Sequence, residues 1–376
     1  MKTAITSIKY TALAIALAGG LAFASSGQAE SQRPERTSQQ RQVGAFQNID
    51  LSGPYRVVIK AQGTPSLAMS GSPKMLAEVE TRVSGDTLIV RPLNRGGMWF
   101  SFGRRHDDVV ITITTAALKG LKMSGSGDVE LDQVNADKLA IEASGPGDLT
   151  ASGSVRELSL SSGGPGDLDL HRLAAASVNL RMSGPGDVRL SSAVTRLDGE
   201  MNGPGELAVD RLQAQSVRLV MNGPGDASLE GDVALLTAEV RGPGNLEASR
   251  LNIKNATVRS RGPGDIELAT ISDTLDAELR GPGSLQAVMA GKRLALNMTG
   301  PGDAEITGTV DAVNAQLSGS GDLDARHLLA GTADVVVRGP GTAVVNVKPK
   351  GDAKTAMLGR AHLLHVDRRG TSQTQE

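Results

Sequence analysis

Cysteine is absent from this 376-residue chain. Its absence excludes disulfide staples, thiolate metal sites and a cysteine-linked lipid anchor. Aromatic residues are scarce as well: one Trp, two Tyr and four Phe, and none after Phe102. A core must therefore be built from aliphatic side chains, and the region beyond Phe102 holds no ring on which a sugar could stack. There is no excess of positive charge. The formal net charge is -2 and falls to about -4 once Lys2 and Lys9 are removed with the N-terminus, which argues against a nucleic-acid partner. No apolar run beyond the N-terminus is long enough to cross a membrane. Nucleophile elbows, phosphate-binding glycine loops and zinc-protease motifs are missing too, so an enzyme is not the expected reading.

What the chain has in quantity is glycine, 46 residues of it, in a strict rhythm. Gly-Pro-Gly-Asp or a close variant occurs twelve times, with its first Gly at 125, 145, 164, 184, 203, 223, 242, 262, 281, 300, 319 and 339. A fixed spacing of 19 or 20 residues marks a stacked repeat. Pro presets φ at the second position of a turn and Gly accepts positive φ at the third, so each motif is expected to be a type II turn. Ser126 and Ser320 replace Pro in two copies. On both sides, apolar residues alternate: Val178, Leu180 and Met182 before one motif, Val188 and Leu190 after it. Period-two alternation describes strands with one buried face, and one coil cannot bury that face alone.

The expected fold is all-β: a right-handed parallel β-helix or solenoid with about twelve such coils of 19–20 residues, roughly 55–60 Å long at about 4.8 Å per coil. Longer and shorter coils mostly alternate, which suggests two loop types on one side. A β-propeller needs longer repeats with recurrent aromatic signatures, and neither is present.

The ends divide as follows. Residues 1–24 read as a signal peptide, with Lys2 and Lys9 ahead of the apolar run Ala12–Ala24 and cleavage after Ala24 or as late as Ala29. Residues 25–42 are expected to be a flexible leader. Residues 43–119 carry strand patterns such as Val109, Ile111 and Ile113 and are expected to form the first coils and a cap. Residues 120–348 are the repeat solenoid. Residues 349–376 are assigned to a C-terminal cap with strands as far as Val366, then a disordered tail from Asp367.

Four sets of residues are weighed for chemistry. Asp128, Asp148, Asp167 and Asp187 begin a column of equivalent acids that continues through Asp226, Asp265, Asp303 and Asp322. Stacked carboxylates could attract Ca²⁺. The other copies carry Glu206, Asn245, Ser284 and Thr342, and this tolerance favours local turn capping instead. Trp99, Phe100 and Phe102 form an aromatic cluster beside Arg104 and Arg105. It is either a plug over the first coil or an exposed anchor for a protein or glycan partner. Arg241, Arg261, Arg280 and Arg338 each precede a motif and form either a basic stripe beside the Asp column or a solvated face with local pairing to those Asp. Among the histidines, His362 and His365 have a spacing that could chelate on a helix, but no acidic third ligand accompanies them.

The opening Phe46-x-x-Ile49-x-Leu51-x-Gly53-Pro54-x-x-Val57-x-Ile59, the strand Val109–Thr114, the pair Leu118 and Leu121, and Ser124-Gly125-Ser126-Gly127-Asp128 together resemble the GIN-domain family. That family is also labelled an autotransporter adhesin head domain, or a domain of unknown function. The resemblance covers roughly Val43 to Lys348, with mostly Pro where the family usually has Ser. It implies a secreted, β-helix-like envelope protein and carries over no catalytic residue. The expected function is an exported, non-enzymatic, adhesin-like protein of the periplasm or cell surface, with no resident cofactor. Its partner would be a protein or glycan of the envelope, met by repeated outer-face contacts. A polysaccharide-active enzyme on the same scaffold and a periplasmic structural or signalling module are the alternatives.

Overall fold

The computed structural model describes residues 36–93, 109–191, 195–348, 353–357, 360–366 and 372–375, with side chains through Lys348. The chain is a parallel β-solenoid of about eleven turns, as its repeat and alternation require.

The N-terminal end is β1 (Thr37–Arg41), β2 (Asn48–Leu51), β3 (Arg56–Lys60), β4 (Ser66–Gly71), α1 (Pro73–Ala77), β5 (Val79–Ser84), β6 (Thr87–Pro92) and β7 (Val110–Thr114). The repeat region is β8 (Gly120–Met123), β9 (Val129–Ala143), β10 (Leu149–Ser162), β11 (Leu168–Met182), β12 (Val188–Ser191), β13 (Arg196–Met201), β14 (Leu207–Met221), β15 (Ala227–Val240), β16 (Leu246–Ser260), β17 (Ile266–Leu279), β18 (Leu285–Met298), β19 (Ala304–Leu317) and β20 (Leu323–Val337). The chain closes with β21 (Thr342–Val347), β22 (Ala353–Met357), β23 (Arg360–Val366) and β24 (Ser372–Gln375).

Each coil of the repeat pairs in parallel with the coil before and after it. Leu149, Leu168, Val188, Leu207, Ala227, Leu246, Ile266, Leu285, Ala304 and Leu323 therefore stand in one column, all buried. Parallel stacking at equal register places like on like, so a pattern repeated in sequence becomes a ladder in space.

Both ends are closed by antiparallel strands. β4 pairs with β7, β5 with β6, and β1 with β4. Such strands cover the row of backbone groups that a bare solenoid end leaves open. Two sequence expectations are corrected here. Residues 37–41 of the expected leader are strand β1, and the Arg41 guanidinium sews it down, donating to Val79 O at 2.7 Å, Thr81 Oγ1 at 2.8 Å and Leu76 O at 3.0 Å. Within the expected disordered tail, residues 372–375 are β24, paired antiparallel with β23. The signal peptide and residues 25–35 lie outside the described residues.

The motif itself departs from the expected turn. No motif glycine among the described residues has positive φ, so these are not type II turns. Inside–outside alternation runs straight through Gly145-Pro146-Gly147-Asp148: both Gly are buried, and Pro and Asp are exposed. The requirement for Gly is close approach between coils. A Cβ on Gly147 would fall onto the carbonyl oxygen of Gly127, and one on Gly145 onto that of Gly125. Backbone stacks on backbone along this edge, and Gly147 N–H donates to Gly125 O at 3.2 Å.

The two loop types are also visible. At the corner after the first inward residues, β10, β15 and β19 each place a Gly of positive φ: Gly153, Gly231 and Gly308. The longer coils have one more residue there, and in two of them, β9 and β14, Gln133 and Arg211 adopt positive φ. Ladder register slips at these corners, and no two longer coils are neighbours.

Candidate interaction surface

Among the described residues, the groups with repeated polar chemistry lie on the outside of the motif edge and the strands beside it. The Asp column is exposed and regular, but it does not cap its own turns. Each Asp reaches along the stack to the next coil. Asp148 Oδ1 accepts from Asp167 N–H at 2.9 Å, Asp167 Oδ1 from Asp187 N–H at 2.9 Å, and Asp187 Oδ1 from Glu206 N–H at 2.9 Å. Asp128 begins the series with a longer contact from Asp148 N–H, 3.3 Å. Asn245 takes the same role, accepting from Asp265 N–H at 2.9 Å. The chain of bonds lapses after Glu206, which is one methylene longer, and after Ser284, which is too short. The substitutions in the repeat thus follow reach: Asn carries the same oxygen at the same distance as Asp, and Glu and Ser do not.

One oxygen of each linking carboxylate is committed to a backbone N–H, which leaves a thin, linear set of acceptors. No group of three or more His, Asp or Glu that could hold a metal occurs among the described residues. The Asp265 carboxyl is held below its ordinary value by the Ser284 backbone N–H and then by the Ser284 hydroxyl, which donates at 2.7 Å.

Replacing Asp167 by Ala should cost about 0.5–1.5 kcal/mol, the usual net value of one hydrogen bond, and replacing it by Asn should be close to neutral. Urea titrations of the two variants measure this. If Asn were as damaging as Ala, charge and not the inter-coil bond would be what matters. The pH sign follows from Asp265. Its folded pKa lies below the unfolded one, so its contribution is present above the ordinary Asp range near about 3.9 and is lost as pH falls through the folded value. Asp265→Asn should flatten that part of the acid limb.

Three of the four Arg before the motifs are held in ion pairs and form no free basic stripe. Arg241 and Arg261 both pair with Glu239, at 2.8 and 2.7 Å, and Arg280 pairs with Glu278. Arg241 also donates to Asn222 Oδ1 at 3.2 Å, and Asn222 donates to Asn202 Oδ1 at 2.8 Å. The partner acid is a Glu, two residues upstream for Arg241 and Arg280 and on the preceding coil for Arg261. The sequence expectation of pairing with the Asp ladder is corrected accordingly.

The remaining candidates separate. Trp99, Phe100, Phe102, Arg104 and Arg105 lie outside the described residues, as does His106. His362 and His365 fall in strand β23, not in the helix that their spacing would need for chelation. His171 is exposed and 2.5 Å from Asp169. Against the raising effect of partial burial, the His171 ring and backbone N–H hold the Asp169 carboxyl below its ordinary value. A small depression of about 260 Å³ lies in the N-terminal cap, lined by Phe46, Pro65, Asp86, Thr115 and their neighbours. No helix among the described residues is long and apolar enough to cross a membrane.

Sequence reasoning missed the inter-coil use of Asp and the exposure of the motif prolines. The signal was present in the spacing of 19 or 20 residues itself, because in a parallel stack residues one period apart are neighbours.

These features define a repeat-built parallel β-solenoid whose outer surface is organised in ladders. The chain belongs to the family described as "Putative auto-transporter adhesin, head GIN domain", whose model matches residues 45–209, 191–288 and 270–364. Among solved structures it is similar to a putative adhesin from Bacteroides fragilis, with 21% identity and a TM-score of 0.28 over 73% of this chain and 96% of that one. It is also similar to a putative lipid binding protein from Parabacteroides distasonis, with 17% identity and a TM-score of 0.35 over 77% and 96%. A putative adhesin from Parabacteroides merdae matches with 13% identity and a TM-score of 0.34 over 77% and 95%. No curated protein matches the chain.

Proposed function

We propose that the protein is exported and works without catalysis, as an adhesin-like envelope protein that holds a partner through repeated contacts along its outer face. The observation that carries this reading is the ladder organisation of the surface. Side chains of one chemistry recur at the coil spacing over the whole repeat region, on a backbone locked by inter-coil bonds. A rigid row of weak sites can bind a long or repetitive partner with useful avidity, because every contact after the first is intramolecular. An extended polymer of the envelope, a glycan or a surface protein, suits such a row. The family description supports the adhesin part of the reading.

The test is protease treatment of intact cells, followed by immunoblotting beside a periplasmic control. Cleavage with the control intact is the expected result. Protection of this protein together with the control would end the adhesin reading and favour a periplasmic module.

A further inference from the structure

The inward columns of the solenoid change character at its N-terminal end. One column runs Val129, Val57, Ile111 and Met69, and the next runs Leu131, Ile59, Ile113 and Leu67. All of these side chains are buried. β1 is the strand that follows, and it sets Gln39 opposite Met69 and Arg41 opposite Leu67. Polar residues thus stand where the strands below place aliphatic ones, and no residue of β1 is buried. An inward charge on an edge strand ends a stack, because a further coil would have to bury it. What holds β1 is polar: the backbone ladder to β4, and the Arg41 guanidinium, which crosses the end of the core to Leu76 O on α1 and to Val79 O and Thr81 Oγ1 on β5. The apolar anchors come only afterwards in the chain, at Val43, half-buried against the core, and at buried Phe46. Gln42, between strand and anchors, is exposed.

We infer that β1 is a latched strap: it opens as a unit while the solenoid stays folded, Arg41 is the latch, and the bared edge of β4 accepts the β1 strand of a second copy. A segment that buries no apolar side chain has little to offset the entropy of its ordering, so its opening lies at the low end of the molecule's local stabilities. The occupant follows from the closed state. The β4 edge and the three oxygens on α1 and β5 already fit this sequence, and the same contacts re-form when the strand comes from another copy.

Hydrogen exchange is followed in the mature protein, in Arg41→Ala and in Arg41→Lys, which keeps the charge but not the planar fork. β1 should exchange at least about 100-fold faster than β9 to β20 in the unmodified protein. Arg41→Ala should speed β1 at least about tenfold further, with Arg41→Lys in between, and should leave β9 to β20 unchanged, which also shows that the variant is folded. A fluorescent peptide with the sequence of residues 36–43 is then titrated into each protein. It should bind Arg41→Ala at least about tenfold more tightly than the unmodified protein, because it brings its own arginine and meets a weaker competitor. The same peptide carrying Arg41→Ala should lose that advantage. A β1 as protected as β9, or one indifferent to Arg41→Ala, overturns the strap. Opening of β1 with no uptake of the peptide by any of the three proteins overturns the strand exchange.

Discussion

Gly147→Ala is expected to destabilise the solenoid by at least about 3 kcal/mol, while Gly44→Ala leaves it unchanged within about 0.5 kcal/mol. At position 147 the new methyl meets the carbonyl oxygen, the carbonyl carbon and the amide nitrogen of Gly127, all backbone atoms of the coil below. Backbone cannot rotate aside as a side chain does. Relief requires the coils to separate, and separation strains the inter-coil bonds of the edge, Gly147 N–H to Gly125 O and Val129 N–H to Asp148 O among them. At Gly44 nothing lies within 4 Å. Chemical denaturation of both variants gives the comparison. A mild effect at Gly147 would mean that the coil spacing is softer than a close-packed stack allows. A type II turn would predict strain from positive φ instead, with the damage independent of what lies on the neighbouring coil. Alanine at several motif positions, each against a differently placed neighbour carbonyl, separates those accounts.

Leu285→Ala should cost about 2–5 kcal/mol. Leu285 is completely buried and stands between Ile266 and Ala304 in its column. Truncation leaves a cavity whose floor and roof belong to coils held at fixed spacing by backbone hydrogen bonds. The site therefore has little freedom to collapse, and the loss should fall in the upper part of the range. In a solenoid each coil contacts only its neighbours, so the damage should also be local. Hydrogen exchange should show loss of protection concentrated in β17, β18 and β19, with the N-terminal coils least affected. A uniform loss along the molecule would show that the stack unfolds as one unit and would contradict the nearest-neighbour account. Leu285→Met, which keeps most of the volume, should cost under about 1.5 kcal/mol.

Much of this structure was legible because it repeats. The period gave the solenoid, and alternation around Val178, Leu180 and Met182 gave the inward face. The alternation of longer and shorter coils gave two loop types, which the structure resolves into corners at Gly153, Gly231 and Gly308 and corners at Gln133 and Arg211. The motif was misread in its geometry. Pro-Gly is a turn signal when only the local chain is considered, and the neighbouring coil, 19 or 20 residues away, was not part of that consideration. The same omission affected Asp, assigned to its own turn although its oxygen serves the next coil. The pairing of Arg261 with Glu239 spans 22 residues, one coil and two more, and could not be read from either coil alone.

At the ends, where repetition stops, local reasoning had less to hold. Thr37–Arg41 has the composition of a leader: two Gln, a Ser, a Thr and an Arg. It is a strand because β4 offers it an edge and because the Arg41 guanidinium finds oxygens on α1 and β5. Neither partner is near it in sequence.

The sequence alone thus determined the period, the inward and outward faces and the aliphatic character of the core, because these depend on residue type and on spacing within one coil. The tertiary structure decided why the motif needs glycine, where each Asp and Arg finds its partner, and which polar segments at the ends become strands. Those outcomes depend on which backbone atoms lie a few ångströms away in the next coil, and that proximity exists only once the coils have stacked.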